Sequence, residues 1–236
     1  YKRQALSNIN SENAHKLKLK WAFAYPAATR ARSQPSISGN AIFVGGQNLY
    51  LYALSRDEGC VIWRTKVDGE IRSAPSIYFS KKGNYIFAGD YEGNLYKIDP
   101  YNGNIFWKKS LRYHPRVILK GSVRVDNDVV YVPLSSREWA DGADPEYECC
   151  SFRGGIMALS IDDGSELWTS YSIPLPAKHT GKFNNNGKKI LAPSGVPVWN
   201  SPTFDLSRNL IYYGTGESCP PPVMNMTHLF RNILGF

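Results

Sequence analysis

The 236-residue sequence lacks the features of several protein classes. No apolar run approaches the roughly 18 residues that a membrane-spanning helix needs, so no membrane span is predicted. Four cysteines are too few for a small fold built on disulfides. Charged residues make up only 20% of the chain and hydrophobic residues 42%, which excludes a disordered protein. These absences leave a globular chain that is long enough to bury a core.

Motifs for several chemistries are also missing. The sequence has no Cys-x-x-Cys-His haem attachment site, no phosphate-binding glycine loop and no nucleophile elbow. The net charge is +8, but the densest basic cluster, residues 16–20, alternates lysine with leucine as a solvated strand face does. Nucleic-acid binders cluster Lys and Arg on one face. We therefore expect no nucleic-acid partner.

An internal repeat dominates the sequence. Residues 51–63, 95–107 and 156–168 align without gaps, each with glycine at the ninth position and tryptophan at the last. A second element, related to Ser-x-Pro, precedes each of these hairpins and recurs once more at residues 201–204. Each unit therefore contains four strands, A to D, in about 40–45 residues, which is typical of a β-propeller blade.

The predicted fold class is all-β, a β-propeller of four-stranded antiparallel blades. Trp21 is expected to end a leading D strand. Strands A and B of a fourth unit follow the third blade. Three complete blades are predicted at about residues 33–66, 73–110 and 121–171. Because propellers have about four to eight blades, we expect a truncated propeller over residues 1–217 and an irregular, non-matching tail over residues 218–236.

Two insertions interrupt the repeat. Residues 133–155 enlarge the connection between strands B and C of the third blade, and residues 169–199 enlarge the connection from its strand D to the next strand A. In an up-and-down blade both connections lie at the same end, so the insertions share a face. Long loops on a regular scaffold commonly carry binding groups, although plain surface decoration is the alternative. Three arginines, Arg32, Arg72 and Arg116, lie near the starts of strands A, the innermost strands, so we expect them to face the channel mouth.

Four side chains on this face are candidates for binding. Glu138 and Glu217 offer hard oxygen ligands, which suit Ca²⁺. Arg153 can bind a ligand carboxylate through two parallel hydrogen bonds, and Trp199 can lie flat under an aromatic ligand. The alternative roles are a solvated carboxylate for each glutamate, a loop contact for Arg153 and core packing for Trp199.

The adjacent pair Cys149-Cys150 is a rarer feature. Adjacent cysteines can form a disulfide with each other. Pairing of either with Cys60 or Cys219, or two free thiols, stays open because four cysteines allow three complete pairings.

The repeat resembles that of a known family. Residues 158–168 resemble the Ala-x-Asp-x-x-x-Gly-x-x-x-Trp repeat of quinoprotein propellers, which include pyrroloquinoline quinone (PQQ)-dependent alcohol dehydrogenases and non-enzymatic relatives. The resemblance covers about residues 1–217 and implies about half of an eight-bladed propeller that binds PQQ and Ca²⁺ at its channel mouth. The polyvinyl-alcohol dehydrogenase branch is indicated by residues 30–35, 132–136, 148–154 and 193–199.

The resemblance also implies site residues. Trp199 matches the tryptophan that stacks under the quinone, and Arg153 matches an arginine beside the cofactor. Glu217 falls where methanol-dehydrogenase-like members place a metal-ligating Asn or Asp, and Glu138 matches the family's Glu ligand. The cysteine pair is similar to the vicinal disulfide of methanol dehydrogenases but lies in a different connection. The expected cofactor-binding residues are Trp199, Arg153, Arg72, Cys149 and Cys150, and the expected metal ligands are Glu217 and Glu138.

The function implied is that of a PQQ- and Ca²⁺-dependent alcohol dehydrogenase, in the periplasm or secreted. It would oxidise primary or secondary alcohols or polyvinyl alcohol and pass electrons to a cytochrome c. The family's catalytic aspartate belongs to a blade beyond residue 236, so we assign no catalytic residue and expect no turnover by this chain alone. The alternatives are a non-catalytic scaffold or interaction propeller, or an inactive fragment. A scaffold has no need of two enlarged loops rich in Arg, Glu and Trp, which favours descent from an enzyme.

Overall fold

Antiparallel β-sheet dominates the computed structural model, which describes residues 8–218. The first blade consists of β1 (Ser36–Ser38), β2 (Ala41–Gly45), β3 (Tyr50–Ser55) and β4 (Val61–Lys66). The second consists of β5 (Ser76–Ser80), β6 (Gly83–Gly89), β7 (Asn94–Ile98) and β8 (Ile105–Ser110). In both sheets the strands are ordered as in the sequence, so each blade is an up-and-down meander.

The third blade carries an extra strand. Its four main strands are β10 (Arg124–Asp126), β11 (Val129–Ser136), β12 (Gly155–Ser160) and β13 (Glu166–Tyr171), and β9 (Val117–Ile118) pairs with the far end of β11. Two hairpins follow, formed by β14 (Lys178–Phe183) with β15 (Lys189–Ala192), and by β16 (Thr203–Asp205) with β17 (Leu210–Tyr212). The two short helices are a 3₁₀ turn at Ala14–Lys16 and α1 at Glu138–Asp141.

The three predicted blades are confirmed, and so are strands A and B of the fourth unit. The prediction of a leading D strand is wrong. Within the described chain, residues 17–25 belong to no sheet, and the alternating strand expected at residues 16–20 is absent. No neighbouring strand of residues 8–218 lies beside this segment to supply backbone partners. Its aromatic side chains attach it instead, because Trp21, Phe23 and Tyr25 pack against Val44, Tyr52 and Leu54 of the first blade.

The core lies between consecutive blades. One cluster of buried apolar side chains fills the space between the first and second sheets, and a larger one fills the space between the second and third. This arrangement matches the near-continuous burial along the middle strands β3, β7 and β12, because a sheet that packs between two others buries both of its faces.

A tryptophan joint repeats between the blades. The indole N–H of Trp63 donates to the carbonyl O of Pro100 at 3.0 Å, and that of Trp107 donates to the carbonyl O of Ile161 at 3.0 Å. Each ring also packs on the turn glycine of the following blade, Gly103 or Gly164, which has a positive φ. A side chain at either glycine would meet the indole ring. The repeated Gly and Trp are therefore the two halves of one joint.

Serine hydroxyls join the innermost strands. The hydroxyl of Ser33 donates to the carbonyl O of Ser73 at 2.8 Å, and that of Ser76 donates to the carbonyl O of Val123 at 2.7 Å. The hydroxyl of Ser201 in the fourth unit donates in the opposite direction, to the carbonyl O of Ser122 in the preceding blade at 2.9 Å. The Ser-x-Pro elements thus set the spacing of the innermost strands.

None of the helices among residues 8–218 has the length and apolar content needed to cross a bilayer. The prediction of an irregular tail at residues 218–236 concerns, apart from Ser218, residues outside those described.

Candidate functional site

The two insertions pack against each other. The N–H of Leu191 in β15 donates to the carbonyl O of Cys149 at 2.8 Å, and the N–H of Cys150 donates to the carbonyl O of Leu191 at 3.3 Å. Lys188 Nζ lies 3.0 Å from Glu146 Oε2. The prediction that both insertions occupy one face of the propeller is confirmed.

Cys149 and Cys150 form a disulfide with each other. Cys150 is fully buried and Cys149 is half-buried, at the junction of the two insertions. Gly142 passes so close that a Cβ there would lie 2.8 Å from the Cys149 sulfur. Cys60 is an exposed free thiol, and Cys219 lies outside the described residues. Of the two expected cofactor contacts, only Cys149 reaches the surface.

Glu138, the first residue of α1, holds the first insertion together. Its side chain is buried, and its Oε1 accepts the N–H of Ser151 at 2.8 Å and the hydroxyl of Tyr147 at 3.0 Å. Its Oε2 accepts the N–H of Phe152 at 2.8 Å. This carboxylate therefore fixes the backbone that leads from the disulfide to Arg153. Its burial could not be read from the sequence, because its donors lie 9, 13 and 14 residues away.

His114 lies beside this carboxylate. Its Nδ1 accepts the N–H of Arg116 at 3.2 Å, and its Nε2 lies 3.0 Å from Ser151 Oγ. With Nδ1 as acceptor, the neutral ring carries its proton on Nε2 and donates it to the serine. Burial lowers the pKa of His114, opposed by the nearby Glu138 carboxylate and reinforced by Arg116. A protonated Nε2 cannot take a proton from Ser151, so the pair is not an activated nucleophile.

Arg153 is anchored on both its backbone and its side chain. The guanidinium stacks 3.9 Å from the Tyr171 ring centroid and donates to the carbonyl O of Pro174 at 2.8 Å. Its own carbonyl O accepts the hydroxyl of Tyr113 at 2.6 Å, and burial raises the pKa of that tyrosine. The loop-stabilising role considered for Arg153 is therefore present in the structure.

Residues 193–199 form backbone hydrogen bonds to the segments that carry other predicted site residues. The N–H of Gly195 donates to the carbonyl O of Phe152 at 2.7 Å, next to Arg153. The N–H of Val196 donates to the carbonyl O of Glu217 at 2.9 Å. This segment thus brings the backbones at Arg153, Glu217 and Trp199 to one place on the face of the insertions.

Trp199 leaves this segment with 52% of its surface exposed. Core packing, the alternative role, is therefore excluded. Its backbone is fixed on the preceding side, because the N–H of Val198 donates to the carbonyl O of Leu134 at 2.8 Å. An exposed indole on a fixed backbone can bind a flat ligand.

Two of the three arginines expected at the channel mouth form ion pairs, and the third, Arg32, is exposed. Arg116 is turned towards the insertion, where its Nε lies 3.0 Å from Asp141 Oδ2. Arg72 stacks 3.6 Å from the Tyr91 ring centroid and pairs with Glu70 at 2.6 Å. Sequence reasoning missed Lys120. It lies three residues before Val123, just as Arg72 lies three residues before Pro75, so the two residues occupy the same position in their blades.

A complete calcium site does not fit the described residues. Ca²⁺ takes about six to eight oxygen ligands. Within residues 8–218, no three acidic, His or Cys side chains converge in a way that would hold a metal. Glu217 is exposed, whereas both oxygens of Glu138 already accept protein hydrogen bonds.

Comparison with known proteins places this fold. The model of a family of PQQ repeats, described as outer membrane protein assembly factor BamB, matches residues 12–201. The chain belongs to the PQQ-repeat propeller family. The four-stranded sheets, the Trp–Gly joints and the innermost serines are thus features of a PQQ-repeat propeller.

Individual relatives show which PQQ-repeat propellers this chain is similar to. Polyvinylalcohol dehydrogenases of Sphingopyxis sp. (strain 113P3) and Pseudomonas sp. are 35% identical over 210 residues and 31% identical over 217 residues. The matches cover 86% and 89% of this chain but 31% and 33% of those proteins, so the chain spans about a third of their length. The crystal structure of quinohemoprotein alcohol dehydrogenase from Comamonas testosteroni superposes with a TM-score of 0.66 at 19% identity, over 91% of this chain and 33% of that one.

Proposed function

We propose that this chain forms part of the quinone-binding face of a PQQ-dependent alcohol dehydrogenase. The observation that carries the proposal is Trp199, half-exposed on a fixed backbone and placed in the same blade position as the cationic Arg72. PQQ is a planar quinone with three carboxylates, so a flat ring beside cations matches its chemistry. When bound, PQQ accepts a hydride equivalent from an alcohol carbon.

The chain's own residues bind and orient this group. Trp199 supports one face of the ring system, and Arg72 donates to a carboxylate while Tyr91 and Glu70 hold its guanidinium in place. Arg153, anchored on Tyr171 and Pro174, keeps donors free for the same ligand. The disulfide and Glu138 stabilise the loop beneath. We assign no step to calcium, because the described residues do not complete its site.

The activity proposed for the whole enzyme needs more residues than this chain contains, because the chain spans about a third of the length of its relatives. The proposed substrates are primary or secondary alcohols, including polyvinyl alcohol, as the names of the two polyvinylalcohol dehydrogenases suggest. A cytochrome c as electron acceptor and a periplasmic or secreted location complete the proposal.

Equilibrium dialysis against PQQ, with the bound quinone measured by its absorbance, tests the proposal. We expect saturable binding that weakens by about tenfold or more in Trp199→Ala, since a stacked aromatic contact contributes roughly 1–3 kcal/mol. Tyr101→Ala is the matched control, because it removes an exposed ring from a turn at the opposite end of the second blade. Equal affinities of the wild-type chain and Trp199→Ala would overturn the platform role.

A second candidate is a non-catalytic scaffold, favoured by the description of the matching family as an outer membrane assembly factor. A cooperatively folded chain that binds no PQQ in the same dialysis would support this candidate over the first.

A further inference from the structure

One register position recurs in four consecutive units. The residue three places before the proline, or before Val123 in the third blade, is Arg32, Arg72, Lys120 and then Trp199. Serine bonds between successive innermost strands, such as that from Ser33 to Ser73, align these positions side by side. A Cβ on Gly121 would lie 2.6 Å from the carbonyl O of Asn200, so the entries of the third blade and the fourth unit touch. Three cations and the exposed indole therefore form one continuous row.

A fixed aromatic ring lies between two of the cations. Tyr91 contacts the Arg72 guanidinium, whose carbon lies 3.6 Å from the ring centroid, and Lys120 Nζ lies 5.8 Å from the same centroid. The N–H of Tyr91 donates to the carbonyl O of Glu70 at 2.9 Å. Its neighbour Asp90 is fully buried and accepts the N–H of Gly69 at 3.0 Å. The backbone that carries the Tyr91 ring between Arg72 and Lys120 is thus fixed.

The positive charge of the row is only partly balanced. Glu70 pairs with Arg72, but among residues 8–218 neither Arg32 nor Lys120 forms an ion pair. Burial lowers the pKa of Lys120, and the positive charges of Arg72 and Arg32 lower it further. A second exposed indole, Trp139, borders the row, with its ring centroid 5.7 Å from Lys120 Nζ. Unbalanced cations beside exposed flat rings suit a planar ligand with several negative charges.

We propose that Arg32 and Lys120 are specificity-determining residues of this face, which bind two carboxylates of the ligand that lies on Trp199. The proposal rests on the proposed function and extends it, because it makes the face selective for a polycarboxylate rather than for any flat quinone. Arg72, held by Glu70, supplies the third cation of the row.

The experiment compares PQQ with its trimethyl ester, which keeps the ring system and removes the three negative charges. Both ligands are titrated by calorimetry into the wild-type chain, Arg32→Gln, Lys120→Gln and Lys120→Arg. Lys81→Gln is the control, because it removes an exposed lysine from the turn between β5 and β6, at the opposite end of the blade. The near-ultraviolet circular dichroism of each variant reports folding.

We expect each glutamine variant to weaken PQQ binding by about 5- to 20-fold, the usual effect of one charge-assisted hydrogen bond. The ester should bind all variants equally, Lys120→Arg should keep most of the affinity, and Lys81→Gln should match the wild type. Unchanged PQQ binding in Arg32→Gln and Lys120→Gln, or an equal loss for PQQ and ester, would overturn the inference and leave the proposed function standing. No binding of PQQ by the folded wild-type chain would overturn both.

Discussion

Asp90→Asn tests whether one buried carboxylate fixes the region between the first two blades and the cationic row. The side chain is fully buried. Its Oδ1 accepts the N–H groups of Glu92 and Asn94, both at 2.9 Å. Its Oδ2 accepts the N–H of Gly69 at 3.0 Å and the hydroxyl of Tyr96 at 2.8 Å. Every strong acceptor position of the carboxylate is therefore used.

The expected loss of stability follows from the number of hydrogen bonds that the carboxylate accepts. An asparagine has the same shape but only one acceptor oxygen, so in either orientation at least two donors face its NH₂ group, and at the Oδ2 position the side-chain amide of Asn94, 3.1 Å away, is a third. A buried hydrogen bond to a charged group contributes about 1.5–3 kcal/mol, and the hydroxyl of Tyr96 can rotate away from the conflict. We expect the free energy of unfolding to fall by about 2–4 kcal/mol.

Urea unfolding followed by tryptophan fluorescence measures this loss, with an unchanged m-value indicating that the unfolded state is the same. Asp163→Asn serves as control, because Asp163 lies in an exposed turn and accepts from Ser165. A loss below about 0.5 kcal/mol in Asp90→Asn, the usual effect of a surface change, would refute the reasoning.

Two further predictions concern a blade joint and a histidine. Gly103→Ala should lower the free energy of unfolding by about 1–3 kcal/mol more than Gly187→Ala. Both glycines have a similar positive φ, but only at Gly103 would the added Cβ meet the Trp63 ring, at 2.7 Å. Equal losses of the two variants in urea unfolding would contradict the role of the tryptophan joint. Because the pKa of His114 is lowered in the folded state, the unfolded chain binds more protons, and stability should fall as the pH drops below the ordinary histidine pKa of about 6.5. His114→Asn should weaken this dependence between about pH 5 and 7.5, and an unaltered slope would contradict the assignment.

The blades were predictable because their signals are local. Alternating apolar residues, a turn glycine with positive φ and a closing tryptophan fall within 13 residues, and the structure places each where the repeat indicates. The segment containing Trp21 carries the alternation and the tryptophan, without a turn glycine, and forms no strand, because a strand also needs a neighbour and the described chain supplies none there. The hairpin of β14 and β15 was missed, since its Lys- and Asn-rich sequence lacks alternation and it pairs with Cys149 about forty residues away.

Some residues of the candidate site could be proposed from the sequence, and others could not, because their positions depend on contacts between distant segments. Trp199, Arg153 and Glu217 were identified by resemblance, and the structure brings their backbones together on residues 193–199. Lys120 was not singled out because the related element of the third blade has Val123 in place of the proline that marks the register in the other units. The burial of Glu138 depends on donors supplied by a folded loop, so composition and spacing carry no trace of it.

The tryptophan joint has an evolutionary consequence. Each of the first two blades offers a tryptophan ring, and the blade that follows offers a glycine, so both interfaces between complete blades use the same pair of parts. Duplication or deletion of one blade-length segment of the gene would leave a valid joint at the new boundary. Such a chain can change its number of blades without inventing an interface, as nearest-neighbour repeat proteins do. Enlarged loops can then arise within a single blade, as in the third, while its neighbours keep their original contacts.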